Sequence, residues 1–315
     1  NKPQVFFVII ILLFCLGACS GDQEIFDNSI PDQTPQPTIL PSTTPEPTLT
    51  FTPAPTFTQS PTPIVILDPE PIEINFITED GVELDGLYYP AAENPAPLIV
   101  LVHWARGDMA EWEHIALWLQ DRGLLVRSPD YNHSWKSSDW YPDFTSEGSL
   151  GVLVFTMRDC QGGCQTYSPT GWLLDIEAVM VKAAQLQGVD KDRIITAGAS
   201  IGADGALYGC AWMNQAGFGS CKGSFSLSPA SLLTLPYEDL ANQLIGAEPP
   251  LPVYCIFGLR DDASVETCSD ITGLTPVDYG YIENHGFELF QPGQSIDPLG
   301  LLNEFINISL TGVGE

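Results

Sequence analysis

The sequence predicts a doubly wound, mostly parallel α/β sheet with an antiparallel N-terminal hairpin and helices on both faces. Three observations carry that expectation. From residue 64 onward, apolar runs of strand length alternate with stretches of helical periodicity, the pattern of successive βα units. Pro97-Leu98-Ile99-Val100-Leu101-Val102-His103 is a continuous apolar run, as a strand buried on both faces requires. Arg193 to Gly205 passes from a β-branched run into small residues around Ser200 and then into an Ala/Leu-rich stretch, which reads as strand, sharp turn and helix.

The chain has 315 residues with 40 acidic against 11 basic side chains, a formal net charge of −29. One large core is within reach of this length. So acidic a surface repels nucleic-acid phosphates and anionic headgroups, which excludes duplex binding and polybasic membrane docking as expected functions. The excess acid serves solubility.

Residues 1–19 read as a targeting segment, with Lys2 as the positive n-region and residues 5–16 as an apolar h-region, too short to span a bilayer comfortably. Leu16-Gly17-Ala18-Cys19 resembles the lipobox of bacterial lipoproteins. That resemblance implies a lipid-bearing Cys19 as the first mature residue, with two or more acyl chains holding the protein at a membrane surface. An ordinary secretory signal or an N-terminal anchor helix are the alternatives. Either export route places the rest of the chain outside the cytoplasm. Residues 20–63 are Pro- and Thr-rich and nearly uncharged from residue 31 onward. Such a segment buries no core and stays extended, a stalk reaching roughly 140 Å at about 3.1 Å per residue. A globular domain then occupies residues 64–315.

Within it, residues 71–78 and 82–89 alternate apolar and polar side chains across Glu79-Asp80-Gly81, an antiparallel hairpin. The buried strand at 97–103 follows. Residues 111–122 place Trp112, Ile115, Ala116 and Leu119 on one helical face before Gly123, a helix with its stop signal. The next core strand is placed at 150–156 in preference to 124–127, which leaves residues 124–149 as an insertion. Its Trp135, Trp140, Tyr141 and Phe144 either line a pocket or pin the insertion to the domain. Helix 172–187, strand 193–197, helix 201–213, strands 222–228, 252–258 and 276–282, and a helix over 298–310 complete the domain.

Gly198-Ala199-Ser200-Ile201-Gly202 fits G-x-S-x-G, in which flanking glycines permit a turn tight enough to expose a serine in a strained conformation at a helix N-terminus. A serine nucleophile needs a base and an acid that orients it. Of His103, His114, His133 and His285, only the last follows Ser200, as the chain order Ser, Asp or Glu, His requires. The acid is sought after the strand at 252–258, in Gly258-Leu259-Arg260-Asp261-Asp262; Asp261 is preferred, with Asp262 as the alternative and a cap or turn role for the other. Two backbone amides are expected to hold a developing oxyanion, one from Ile201 and one from the loop after His103, with Trp104 preferred over Ala105. His103 is assigned to bracing that loop, and Asp204 to a polar role in the first turn of the elbow helix.

From about residue 72 to the C-terminus the chain resembles the α/β hydrolases, closest to dienelactone hydrolase-like and small esterase members. The resemblance rests on His103 in the first loop, Gly198 to Gly202 as the elbow, Gly258-Leu259-Arg260-Asp261 as the acid motif and His285-Gly286-Phe287 as the histidine motif. The loop Trp104-Ala105-Arg106-Gly107-Asp108 departs from the Gly-Gly-Gly type of many lipases.

Six cysteines lie in the domain, Cys160, Cys164, Cys210, Cys221, Cys255 and Cys268. In an exported domain an even number suggests disulfides, with 15 pairings possible, and the local pairs 160–164, 210–221 and 255–268 are preferred. No zinc spacing accompanies the 160/164 pair, and neither a metal nor a cofactor is expected.

These readings converge on a membrane-anchored extracytoplasmic serine hydrolase acting on a small-molecule carboxylic ester. A peptidase or amidase with the same residues, or a binding lipoprotein that kept the scaffold, are the alternatives. The oligomeric state is left open.

Overall fold

A computed structural model describes residues 71–120, 150–269, 271–280, 282–290 and 297–311. The targeting segment with Cys19, the stalk and the insertion at 124–149 lie outside the described residues. Eight strands form one sheet in the order β1-β2-β4-β3-β5-β6-β7-β8. They are β1 (Ile72–Ile77), β2 (Glu83–Tyr89), β3 (Ala96–Val102), β4 (Gly151–Phe155), β5 (Val189–Ala199), β6 (Cys221–Leu227), β7 (Val253–Phe257) and β8 (Thr275–Asp278). The hairpin is antiparallel, with Asn75 opposite Asp85, and β2 runs antiparallel to β4. Every later pairing is parallel.

Central β3 shows why its sequence is uniformly apolar. Successive side chains of a strand point to opposite faces. Leu98, Val100 and Val102 therefore enter one core with helices α2 (Pro169–Gln185), α3 (Ile201–Ala216) and α4 (Tyr237–Ile245). Ile99 and Leu101 enter the opposite core with α1 (Glu113–Leu119) and α6 (Pro298–Thr311). Seven residues of α5 (Asp262–Cys268) follow β7. The hairpin, the buried strand, the elbow strand and helix, and a core strand within 150–156 all agree with this architecture; residues 124–127, the other stretch weighed for that strand, lie outside the described residues.

The differences have local causes. Strand β5 starts at Val189, four residues before the expected start at 193, because its first residues are charged and partly exposed and so hide the strand pattern. Helix α2 starts at Pro169, a residue pre-set for a first helical turn. The expected strand 276–282 stops at Asp278. Beyond it Gly280 turns at φ 76°, and the chain pairs with the loop after β7 instead, through Leu259 N–H to Gly280 O at 2.9 Å and Arg260 N–H to Ile282 O at 3.0 Å. Helix α4 lies between the expected strands 222–228 and 252–258, where no element is expected, and Tyr237, Ala241 and Leu244 are its buried residues.

All three preferred cysteine pairs are disulfides: Cys160–Cys164, Cys210–Cys221 and Cys255–Cys268. No described helix is long and apolar enough to cross a membrane.

Candidate active site

The carboxyl ends of the parallel strands bring the sequence-selected residues together. Ser200 sits between β5 and α3 with φ 54° and ψ −124°, a left-handed region that a non-glycine residue occupies only where its surroundings impose it. What imposes it is packing. A Cβ at Gly198 would lie 1.9 Å from the Gly202 carbonyl oxygen, and one at Gly202 would lie 2.3 Å from the His103 oxygen. Both glycines of the pentapeptide are thus required by close backbone approach. The same contact presses the first turn of α3 against the end of β3. The Ser200 amide is held by the Leu227 carbonyl at 2.7 Å.

His285 reaches Ser200 from the loop after β8. Its Nε2 stands 2.7 Å from Ser200 Oγ and its Nδ1 2.6 Å from Asp261 Oδ2. With Nδ1–H donating to the carboxylate, Nε2 is left to accept the serine proton. Asp261 closes the turn at 258–261, its amide donating to Gly258 O at 2.9 Å, and Asp262 begins α5 instead. Gly258 allows the acid and histidine loops to touch, since a Cβ there would meet Ile282 O at 2.6 Å. The Cys255–Cys268 bond ties the end of α5 back to β7 and so frames the aspartate.

The environment of Asp261 keeps it ionised. Burial works against the charge, but the hydrogen bonds from His285 and Ser264 outweigh it and hold the carboxyl below its ordinary pKa. Ser264 Oγ donates to Oδ2 at 2.7 Å. The sequence reading missed this serine, although its i, i+3 spacing from Asp261 at a helix start was a usable signal.

His103 plays the bracing part expected of it. The Met157 amide donates to its Nε2 at 3.0 Å, so the proton is on Nδ1, which donates to the Trp104 carbonyl at 2.8 Å. Burial lowers its pKa to about 4, and the ring is neutral at neutral pH. Trp104 itself lies beside the site: a Cβ on Gly286 would be 3.0 Å from its ring and 3.6 Å from Ser200 Cβ. Its ring packs edge-on to Phe287 at 5.8 Å.

Ile201 opens α3 directly after Ser200, and first-turn amides have no intrahelical acceptor. The close approach of Gly202 to the His103 oxygen sets that first turn against the end of β3.

Two acidic residues act on the loops. Asp204, buried in the first turn of α3, accepts the amides of Ala230, Ser231 and Leu232 at 3.3, 3.3 and 2.6 Å and fixes the loop after β6. Burial raises its pKa to about 7 against the pull of those amides. Glu288 Oε2 accepts the His285 amide at 3.2 Å, while Oε1 accepts from Arg106 Nη1 at 3.1 Å. A carboxylate three residues on, reaching back to the amide of the residue that precedes the helical turn Gly286–Phe290, is the return half of a capping box. That spacing, His285 to Glu288, was legible and overlooked.

Solved structures share this fold. An esterase of Pyrococcus furiosus aligns over 76% of this chain and 91% of its own, at 15% identity and a TM-score of 0.50. The fold is the α/β-hydrolase fold. A protein of unknown function from Agrobacterium tumefaciens, assigned to the α/β hydrolases, shares it at 19% identity and a TM-score of 0.50, over 76% of this chain and 97% of its own. An acylaminoacyl peptidase of Pyrococcus horikoshii does so at 17% identity and a TM-score of 0.50; 78% of this chain aligns with 42% of that one. No protein-family model and no curated protein matches the sequence. Ser200, Asp261 and His285 stand beyond the carboxyl ends of β5, β7 and β8 in this fold.

Proposed function

We propose that the chain is a serine hydrolase of carboxylic esters, held outside the cytoplasm by lipid on Cys19. One observation carries the catalytic reading: a serine at φ 54° whose Oγ is 2.7 Å from an imidazole that is itself 2.6 Å from a carboxylate. His285 Nε2 takes the Ser200 proton as Oγ bonds to the ester carbonyl carbon. Asp261 holds the ring in that tautomer and stabilises the imidazolium. The Ile201 and Trp104 amides receive the oxyanion. The imidazolium then gives its proton to the alkoxide that leaves, and an acyl-Ser200 remains. Water, deprotonated by the same nitrogen, adds to the acyl carbon, and collapse of that second tetrahedral species returns the Ser200 hydroxyl and frees the acid. Apart from the ester and water, these steps use the chain's own residues.

The test is labelling of the purified protein by a fluorophosphonate, followed by peptide mapping and a panel of p-nitrophenyl esters and matching anilides. Modification confined to Ser200, with ester turnover that vanishes in Ser200→Ala, is the expected result. Turnover retained by that folded variant would sink the assignment, and faster anilide than ester hydrolysis would move it to an amidase. The anchor is tested separately: Cys19→Ser should carry the protein from the detergent phase to the aqueous phase on partitioning. An unchanged distribution removes the lipid from the proposal.

A further inference from the structure

We infer that the Cys160–Cys164 disulfide loop is a strap that positions the loop at 104–108, and with it the second oxyanion amide. This rests on the hydrolase reading above, and it makes Gly162, Gly163 and Cys164 positioning residues that never touch substrate. Strands β3 and β4 are parallel neighbours, Val102 beside Phe155, so the loops that leave them start side by side. Three contacts then join the two loops. The Cys164 amide donates to Ala105 O at 2.8 Å. The Gly162 amide donates to Asp108 Oδ2 at 2.7 Å, while the other oxygen of Asp108 accepts the Ala110 amide at 2.9 Å. Gly163, at φ 118°, a conformation that side-chain-bearing residues rarely adopt, lies beside the Arg106 backbone, with a Cβ position 3.4 Å from its carbonyl carbon and oxygen.

The strap has a fixed base. Arg158 lies two residues before Cys160, and its amide and Nε each bind the fully buried Asp175 at 2.8 Å. Its guanidinium also grips Asp80 at 2.6 and 2.9 Å. On the other loop, the Trp104 carbonyl is held by His103 Nδ1–H at 2.8 Å and Gly107 N–H at 3.3 Å. Fixing the Trp104 and Ala105 carbonyls orients two successive peptide planes. Those planes carry the Ala105 and Arg106 amides, and the Trp104 amide lies in the plane just before them, whose His103 oxygen is packed against Gly202.

Two adjacent glycines would otherwise leave the strap with much backbone freedom. The disulfide removes it, together with the Gly163 N–H bond to Cys160 O at 2.9 Å. An oxyanion donor displaced by an ångström loses much of its effect on rate.

The test compares full-length Cys160→Ser/Cys164→Ser with Cys210→Ser/Cys221→Ser, which removes a disulfide between the body of α3 and the start of β6. Steady-state ester hydrolysis is measured at a temperature where circular dichroism shows each variant folded. The strap variant should lose about 10-fold or more in kcat, with KM within about twofold of the parent. The control variant should keep the parental kcat. Equal losses in both variants, or none in the strap variant, would overturn the inference. If the strap variant does not fold, Gly163→Ala keeps the disulfide but strains the φ 118° turn against Arg106; it should show the same selective fall in kcat, and a parental kcat there would also overturn the inference. A parent protein that turns over no ester and leaves Ser200 unlabelled fails differently: the hydrolase reading falls first, and the strap's proposed role with it.

Discussion

His103 and His285 stand at the same edge of the sheet, yet their surroundings give them opposite work. His103 is fully buried, and both ring nitrogens are engaged by backbone groups, one accepting from Met157 and one donating to Trp104. Nothing is left for a substrate. His285 keeps 28% of its side chain exposed and spans a carboxylate and a hydroxyl, so that one nitrogen is oriented and the other can exchange a proton. An imidazole becomes a base when its partners are side chains that can respond to charge. It becomes a brace when they are peptide groups that cannot.

The largest effects should come from breaking the responsive side of this contrast. His285→Ala should lower kcat on the order of 10⁴- to 10⁶-fold and abolish fluorophosphonate labelling of Ser200. Asp261→Asn, which keeps the shape but offers the wrong hydrogen-bond sense to Nδ1, should cost on the order of 10⁴-fold, whereas Asp262→Asn should leave kcat within about twofold. Steady-state kinetics on the best ester checks all three. A large loss for Asp262→Asn with none for Asp261→Asn would reassign the acid to the start of α5.

Much of this contrast was legible in the sequence. Chain order alone separated His285 from the other three histidines, and Gly-x-Ser-x-Gly marked a turn whose glycines the backbone contacts at Gly198 and Gly202 require. Local cysteine spacing selected all three disulfides. What escaped depends on where loops meet. Ser264 supports Asp261 because α5 begins immediately after it, and α5 is too short and too polar to announce itself by periodicity. Asp204 was placed in the elbow helix, but its acceptance of three amides from 230–232 depends on the path of a loop after a different strand. The shortened β8 has the same cause: the Gly280 and Ile282 carbonyls accept amides of the acid loop, from Leu259 and Arg260, and strand propensity cannot anticipate that competition.

The smallest effect, and the sharpest test of the contrast, concerns His103 and stability. Its folded pKa of about 4 lies below the ordinary value of 6.5 because burial disfavours the imidazolium. As pH falls, the unfolded chain therefore binds the proton first. The stability that the neutral ring contributes is complete above about pH 6.5 and drains away as pH falls toward 4, at about 1.4 kcal/mol per pH unit. His103→Gln titrates nothing at that position. Urea unfolding between pH 7 and pH 4 should then show the advantage of the parent over His103→Gln shrinking by about 3 kcal/mol, while Asp204 and Asp261 contribute to both proteins and largely cancel in the difference. A constant difference across that range would mean that His103 takes up its proton as readily in the folded protein as in the unfolded chain, which its acceptance of the Met157 amide opposes, and the division between brace and base would have to be drawn elsewhere.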